Sequence, residues 1–209
     1  MKKYYWLVIL VCLLSVFSCD NKDWILFRAS NNYFPLVVGD RWTYDNGGVT
    51  EVVKVISDTN AYGIACSYLT RDFADEFWVK DNSVVKKLEL RNVNFGGTDY
   101  PIQQAWAVQF HLPFVLGNYW SNTYNDTALV LGDTYYVSQT ITRKVVATED
   151  INVAAGSFIQ TYKLEYMESV AINDSIEEYS GFEWYSPGLG LVKSIINNKT
   201  KELLDYLIK

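Results

Sequence analysis

The stretch YFPLVVGDRWTYD (Tyr33–Asp45) returns later in the chain as HLPFVLGNYWSNT (His111–Thr123). The shared punctuating residues are Pro35, Gly39 and Trp42 in the first copy and Pro113, Gly117 and Trp120 in the second. The differences 113 − 35, 117 − 39 and 120 − 42 all equal 78. A common spacing with apolar residues matched in between predicts an internal duplication, with repeats at 33–110 and 111–209.

The chemistry of this motif indicates a structural role. Proline fixes φ and suits the start of a strand, while Gly-Asp or Gly-Asn favours a tight turn. The tryptophan then begins the next strand. We therefore expect Trp42 and Trp120 to be largely buried and to close one end of a curved sheet. The alternative is that the two indoles stack on carbohydrate.

A second pair of segments supports the duplication. EFWVKDNSVVKKLEL (Glu76–Leu90) is similar to FEWYSPGLGLVKSII (Phe182–Ile196), and this alignment matches Trp78 with Trp184. Each half of the chain thus contains the proline–glycine–tryptophan motif, then strands, an aromatic strand, a turn and a further strand.

The remaining sequence predicts an all-β fold with little helix. Turn residues recur about every 8 to 12 positions, as in all-β domains. The predicted strands are 49–57, 62–70, 76–80, 84–90, 128–131, 135–149, 158–170, 176–185 and 189–197. The final LLDYLIK (Leu203–Lys209) is also interpreted as a strand, and IQQAWAVQF (Ile102–Phe110) is the best helix candidate.

INVAAGSFIQTYKLEY (Ile151–Tyr166) and WYSPGLGLVKS (Trp184–Ser194) resemble segments of a broad group of exported bacterial proteins, many of them lipoproteins. The group shares PLxxGxxWxY, VxAGxF and WYxPGxGLVK motifs. The resemblance implies an antiparallel, strongly curved sheet, akin to the half-barrels of LolA and LolB. The group is mostly of unknown function, so no catalytic residue is implied. The matching positions are Pro35, Gly39, Trp42, Tyr44, Ala155, Gly156, Phe158, Trp184, Tyr185, Pro187, Gly188 and Gly190.

The N-terminus predicts export and lipid attachment. MKKYYWLVILVCLLSVFSCD begins with Lys2 and Lys3, continues with a short apolar run and ends in small residues before Cys19, as signal peptides do. Val16–Cys19 resembles the lipobox of bacterial lipoproteins. The resemblance implies a signal peptide at 1–18, a diacylglycerol on Cys19 with further acylation such as palmitate, and a tether at 19–32. The alternative is an ordinary signal peptide or an uncleaved anchor.

The composition limits the possible chemistry. A net charge of −6 without a basic stripe argues against nucleic acid as a partner. His111 is the only histidine, which excludes a histidine triad or a multi-histidine metal site. Glu76 and Glu183 are the carboxylates that a curved sheet could bring together for glycoside hydrolysis. We expect Cys66 to be a buried, inert thiol, and we expect no catalytic residue, metal or cofactor.

The sequence is therefore compatible with three functions. The first is a membrane-anchored, non-enzymatic module that binds an envelope protein or has a structural role. The second is a carrier whose curved sheet encloses a lipid or another apolar ligand. The third is a surface protein that binds or cleaves glycans.

Overall fold

The structure, a computed structural model, describes residues 32–72, 74–81 and 83–209. Within these residues it contains β-strands and turns and no helix. The predicted signal peptide, Cys19 and nearly all of the predicted tether lie outside the described residues. The all-β prediction is confirmed, and the small helix content that we expected is not found in the described part of the chain.

Twelve strands follow one another along the chain. They are β1 (Arg41–Asn46), β2 (Val49–Ala61), β3 (Ile64–Arg71), β4 (Ala74–Asp81), β5 (Val84–Phe95), β6 (Thr98–His111), β7 (Tyr119–Val130), β8 (Asp133–Val153), β9 (Gly156–Ile172), β10 (Ser175–Ser186), β11 (Gly190–Ile196) and β12 (Lys199–Leu207).

These strands form a single antiparallel sheet in the order β6-β5-β4-β3-β2-β1-β12-β11-β10-β9-β8-β7. All neighbours in the sheet are consecutive in sequence except β1 and β12, which pair in the middle, and the consecutive strands β6 and β7 form the two edges. The strands therefore spread outwards from this central pair, β1–β6 on one side and β7–β12 on the other. The predicted strong curvature is also found, because the sheet bends into a nearly closed, barrel-like shape.

The two edge strands, β6 and β7, meet through side chains. The backbone N–H of Val108 donates to the Tyr124 hydroxyl at 2.6 Å, and that of Gln104 donates to Asp126 Oδ2 at 3.2 Å. Trp120 Nε1 donates to the carbonyl of Gln109 at 3.2 Å. Polar side chains of β7 thus bind backbone groups that a neighbouring strand would otherwise satisfy.

The helix prediction for Ile102–Phe110 is wrong, because this segment lies within β6. Irregularities in the β5–β6 register leave Ile102 and Gln109 as extra residues on β6. Each bulge interrupts the alternation of inward and outward side chains. The apolar residues of the segment consequently lose the period of two that identifies a strand in sequence.

The two copies of the motif adopt the same turn. Gly39 N donates to Val55 O, Val55 N to Asp40 O, and Asp40 N to Val37 O, each at 2.9 Å. Gly117 N donates to Val145 O, Val145 N to Asn118 O, and Asn118 N to Val115 O, again at 2.9 Å. Both glycines have positive φ, 97° and 88°, a conformation that favours glycine.

The tryptophans of the two copies are also equivalent in burial. Trp42 is 6% exposed and donates from Nε1 to Leu189 O at 2.8 Å, and Trp120 is 7% exposed. Their predicted burial is therefore confirmed. A ring that is buried with its N–H satisfied contributes packing rather than a surface for stacking on a ligand.

Candidate functional site

A small cavity inside the curved sheet is the candidate site. Its volume is about 100 Å³, and five aromatic side chains contribute to its wall, namely Phe34, Trp42, Tyr44, Trp78 and Tyr185. The lining residues from β1 to β11 are Trp42, Tyr44, Val53, Leu69, Arg71, Glu76, Trp78, Tyr185, Gly190 and Leu191. We call this space the central aromatic cavity.

The segment that precedes the first motif fills much of the interior beside this cavity. Phe34 lies 4.4 Å from the ring of Phe110, 5.3 Å from Tyr185 and 6.0 Å from Trp78. These partners belong to β6, β10 and β4, which are not neighbours in the sheet. One side chain from the N-terminal segment therefore joins distant parts of the wall.

Its neighbours fix this N-terminal segment in place. Tyr33 is 4% exposed and packs against Phe114 and Tyr162 at ring distances of 4.6 and 5.3 Å. Gly188 N donates to Asn32 O at 2.6 Å, and Lys80 Nζ donates to Asn32 Oδ1 and to Phe34 O. We define Asn32–Leu36 as the plug.

Opposite charges line one side of the central aromatic cavity. Arg71 Nη1 lies 2.8 Å from Glu51 Oε1, and Arg71 Nε lies 3.0 Å from Glu76 Oε1. Lys201 Nζ adds a second cation 2.8 Å from Glu51 Oε1. The network balances two carboxylates with two cations, so the buried charges compensate one another.

The network keeps both carboxylates ionised. Burial alone would raise the pKa of Glu51, but the hydrogen bond from Lys201 and the charge of Arg71 outweigh it, and the pKa is lowered. Burial opposes ionisation of Glu76 in the same way, yet the charges of Arg71 and Lys87 lower its pKa. A general acid requires a raised pKa, so Glu76 is unsuited to that role in glycoside hydrolysis.

We expect acid to destabilise the fold through these carboxylates. A folded-state pKa below the unfolded value near 4.5 gives stability that is complete above that pH and is lost as the pH falls through the folded pKa. In urea titrations between pH 3 and 7, the free energy of unfolding should decrease below about pH 4.5. Glu51→Gln should flatten this decrease, with Asp205→Asn in an exposed ion pair as the control. An equally steep decrease in Glu51→Gln would argue against the assignment.

A second buried charge lies across the interior from the edge strand β6. Arg143 of β8 is 5% exposed, and its Nε lies 3.0 Å from Glu183 Oε2. Its Nη1 donates to Gln109 O at 3.0 Å and to Gln109 Oε1 at 3.1 Å. The guanidinium also lies over Phe110, 4.3 Å from the ring centre. Arg143 therefore connects β8 and β10 with the edge strand β6.

The candidate catalytic side chains named from the sequence each contact another side chain. Glu76 and Glu183 are each engaged by an arginine, Arg71 and Arg143. His111 is exposed and contacts the Trp120 ring edge-on at 5.7 Å. In residues 32–72, 74–81 and 83–209, no group of three or more histidine, cysteine, aspartate or glutamate side chains is placed to hold a metal ion.

The structure brings many of the sequence-predicted residues to the plug and the central aromatic cavity. Pro35, Trp42, Trp78 and Gly190 line the cavity, and Gly188 binds the plug. Pro187 lies beside it in the β10–β11 loop. Pro113, Gly117 and Trp120 belong to the other motif copy.

The register places Trp78 and Trp184 differently from the sequence alignment. The two motif turns bind Val55 and Val145, which pair with Leu69 and Leu164 and make these two leucines equivalent. Leu69 pairs with Glu76, and Leu164 pairs with Glu183, so Tyr185 is the residue that corresponds to Trp78. Trp184 is 5% exposed and donates from Nε1 to Glu149, away from the cavity lining. The alignment in the sequence is therefore offset by one residue here.

Sequence reasoning did not identify the contacts that Phe34, Arg71, Arg143 and Tyr185 make across the sheet. Phe34 directly precedes the motif, and Arg71 stands beside a predicted turn, where charged side chains are usually solvated. The buried Cys66 was expected, and burial raises the pKa of its thiol.

Comparison with known proteins gives a partial family match. A family model described as DUF3108-like matches residues 133–207, which span β8–β12 and amount to 75 of the 209 residues (207 − 133 + 1). No curated protein matches the chain. No helix among the described residues has the length and apolar character needed to cross a membrane.

Two solved structures show a distant likeness. A candidate lipoprotein from Parabacteroides distasonis is 16% identical, with a TM-score of 0.48 and coverage of 84% of this chain and 98% of that chain. A candidate exported protein with a YmcC-like fold from Bacteroides fragilis is 14% identical, with a TM-score of 0.46 and coverage of 83% and 98%. The family match of residues 133–207 and these two likenesses are what the comparisons establish for this chain.

Proposed function

We propose that the protein is an exported bacterial lipoprotein, anchored through Cys19, whose β body binds an envelope component on its outer surface and does not catalyse a reaction. The observation that carries the proposal is the filled interior. The plug and the rings around it leave a cavity of about 100 Å³. Ligand pockets usually measure about 300 to 1,000 Å³. A partner would therefore contact the outside of the sheet.

The leader supports the envelope part of this proposal. A basic start, a short apolar run and Val16–Cys19 together predict export and lipid attachment. Two or three acyl chains would hold the protein at a membrane, because each buried CH₂ contributes about 0.8 kcal/mol.

The matched hydrogen bonds of the two motif turns support an origin by internal duplication.

The glycan hypothesis gains no support from the tryptophans. Among the tryptophans in the described residues, Trp42, Trp120 and Trp184 are buried, and Trp78 and Trp106 are half-buried. Stacking on a sugar requires an accessible ring face. None of these five side chains offers one that is fully exposed.

A carrier is the second candidate, and the plug is the observation that favours it. Phe34 occupies an aromatic space that an apolar group could fill if Asn32–Leu36 withdrew. The space next to it is already lined by Trp42, Trp78 and Tyr185. In that case the ligand would compete with the protein's own plug.

Native mass spectrometry of the protein purified from membranes tests the proposal. We expect the mass of the chain from Cys19 onward plus its attached lipid, with no further ligand. Cys19→Ala should lose the lipid mass and move to the soluble fraction. A non-covalent lipid on the wild-type protein would favour the carrier, and an unmodified Cys19 would contradict the anchor.

A further inference from the structure

The two motif turns lie on the same rim of the barrel-like sheet. Adjacent strands are antiparallel, and β1 and β7 stand six positions apart in the sheet order, so they run in the same direction. The turns that precede them, 37–40 and 115–118, therefore lie at the same end of the sheet. We call this end the motif rim.

Each turn presents two aliphatic side chains to solvent. Val37 and Val38 are 50% and 42% exposed, and Val115 and Leu116 are 51% and 63% exposed. The turns are held by the matched backbone hydrogen bonds to Val55 and Val145. The motif rim thus carries two firmly held aliphatic tips, which lie across the barrel-like shape from each other.

The chain also arrives at the motif rim from its N-terminus. Asn32 O accepts from Gly188 N in the loop between β10 and β11, and β10 runs opposite to β1, so this loop lies at the motif rim. Cys19 stands 13 residues earlier (32 − 19). Thirteen residues reach at most about 45 Å when fully extended.

We propose that the motif rim faces the bilayer that holds the Cys19 lipid, and that Val37, Val38, Val115 and Leu116 enter its interfacial layer. This inference rests on the proposed lipid anchor. Exposed aliphatic side chains held at a membrane surface lower the free energy of the system when they leave water for the interfacial layer. Contacts at two separate tips would fix the orientation of the body, which a lipid on Cys19 alone would leave free.

The opposite rim is the competing surface, because Leu129 is 74% exposed near the end of β7. β11, beside the loop where the chain enters, has 7 residues and is therefore about 24 Å long. The anchor segment would have to spend more than half of its maximal reach of about 45 Å along the outside wall for that rim to reach the same membrane. The motif rim needs no such path.

Site-specific labelling distinguishes the two rims. The lipidated protein is produced as Val38→Cys, Leu116→Cys or Leu129→Cys, and an environment-sensitive fluorophore is attached to the new thiol. Cys66 is buried, which limits its labelling. Each variant is reconstituted into vesicles of phosphatidylethanolamine and phosphatidylglycerol, with or without brominated acyl chains. We expect brominated vesicles to reduce fluorescence about twofold at positions 38 and 116 and to leave position 129 nearly unchanged.

The outcomes separate this inference from the anchor itself. Intact mass first establishes whether Cys19 carries lipid, and an unlipidated Cys19 overturns the proposed function and this inference together. With lipid present, quenching at both tips and not at position 129 supports the inference. Quenching at only one tip, at neither tip, or equally at position 129 overturns it while the anchor stands.

Discussion

Trp42→Ala and Trp120→Ala should each lower the free energy of unfolding by about 3 to 5 kcal/mol, as truncation of large buried aromatic residues does. Both rings are at least nine-tenths buried, and both indole N–H groups donate to backbone carbonyls, of Leu189 and Gln109. Either substitution removes packing. Trp42→Ala also removes the indole donor of the Leu189 carbonyl, whereas the Gln109 carbonyl keeps its hydrogen bond from Arg143 Nη1. Urea denaturation followed by circular dichroism measures the loss.

Two further variants show whether the loss comes from the buried ring. Trp42→Phe keeps most of the apolar area but loses the hydrogen bond, so we expect a smaller loss, about 1 to 2 kcal/mol. Tyr119 is 63% exposed and precedes Trp120, and Tyr119→Ala should change stability by less than about 0.5 kcal/mol. A Trp→Ala variant as stable as Tyr119→Ala would contradict the packing role.

Arg143→Met should destabilise the protein by about 3 to 5 kcal/mol, because it leaves the Glu183 carboxylate without its cation in a largely buried position. The Arg143 and Glu183 side chains are 5% and 13% exposed. The substitution also removes both hydrogen bonds to Gln109, which connect β8 with the edge strand β6. Chemical denaturation at pH 7 provides the measurement.

The double variant Arg143→Met/Glu183→Leu identifies the source of this loss. With the uncompensated charge removed, it should be more stable than Arg143→Met alone. Arg41→Ala is the surface control, since Arg41 and Asp205 are 45% and 64% exposed, and it should cost less than about 1 kcal/mol. Equal losses in Arg41→Ala and Arg143→Met would refute the role of burial.

Local signals in the sequence predicted most of the fold. Turn residues and β-branched runs placed strands on β2–β5 and β7–β12, and the strand predicted at Leu203–Lys209 overlaps the end of β12 (Lys199–Leu207). β6 was missed because its bulges at Ile102 and Gln109 break the alternation from which strands are recognised. The turn chemistry of Gly39 and Gly117 was predicted because it depends on neighbouring residues only.

The interior could not be predicted in the same way. Arg143, Gln109 and Glu183 belong to three different strands, and their contact depends on how far the sheet closes. Phe34 meets rings from β4, β6 and β10 for the same reason. A single sequence gives no spacing rule for such contacts, and composition favours solvent for arginine and glutamate.

The pairing of β1 with β12 sets the order in which the chain can complete its fold. Arg41 lies opposite Leu207, 166 positions later (207 − 41), whereas all other strand pairs are hairpins between successive strands. Hairpins can form soon after their residues emerge during synthesis, but one side of the first strand stays unpaired until the final residues have emerged. Such late, long-range pairing slows folding. Until it occurs, an unpaired strand edge stays exposed and can pair with another chain. A chain that has emerged only in part therefore carries this unpaired strand edge.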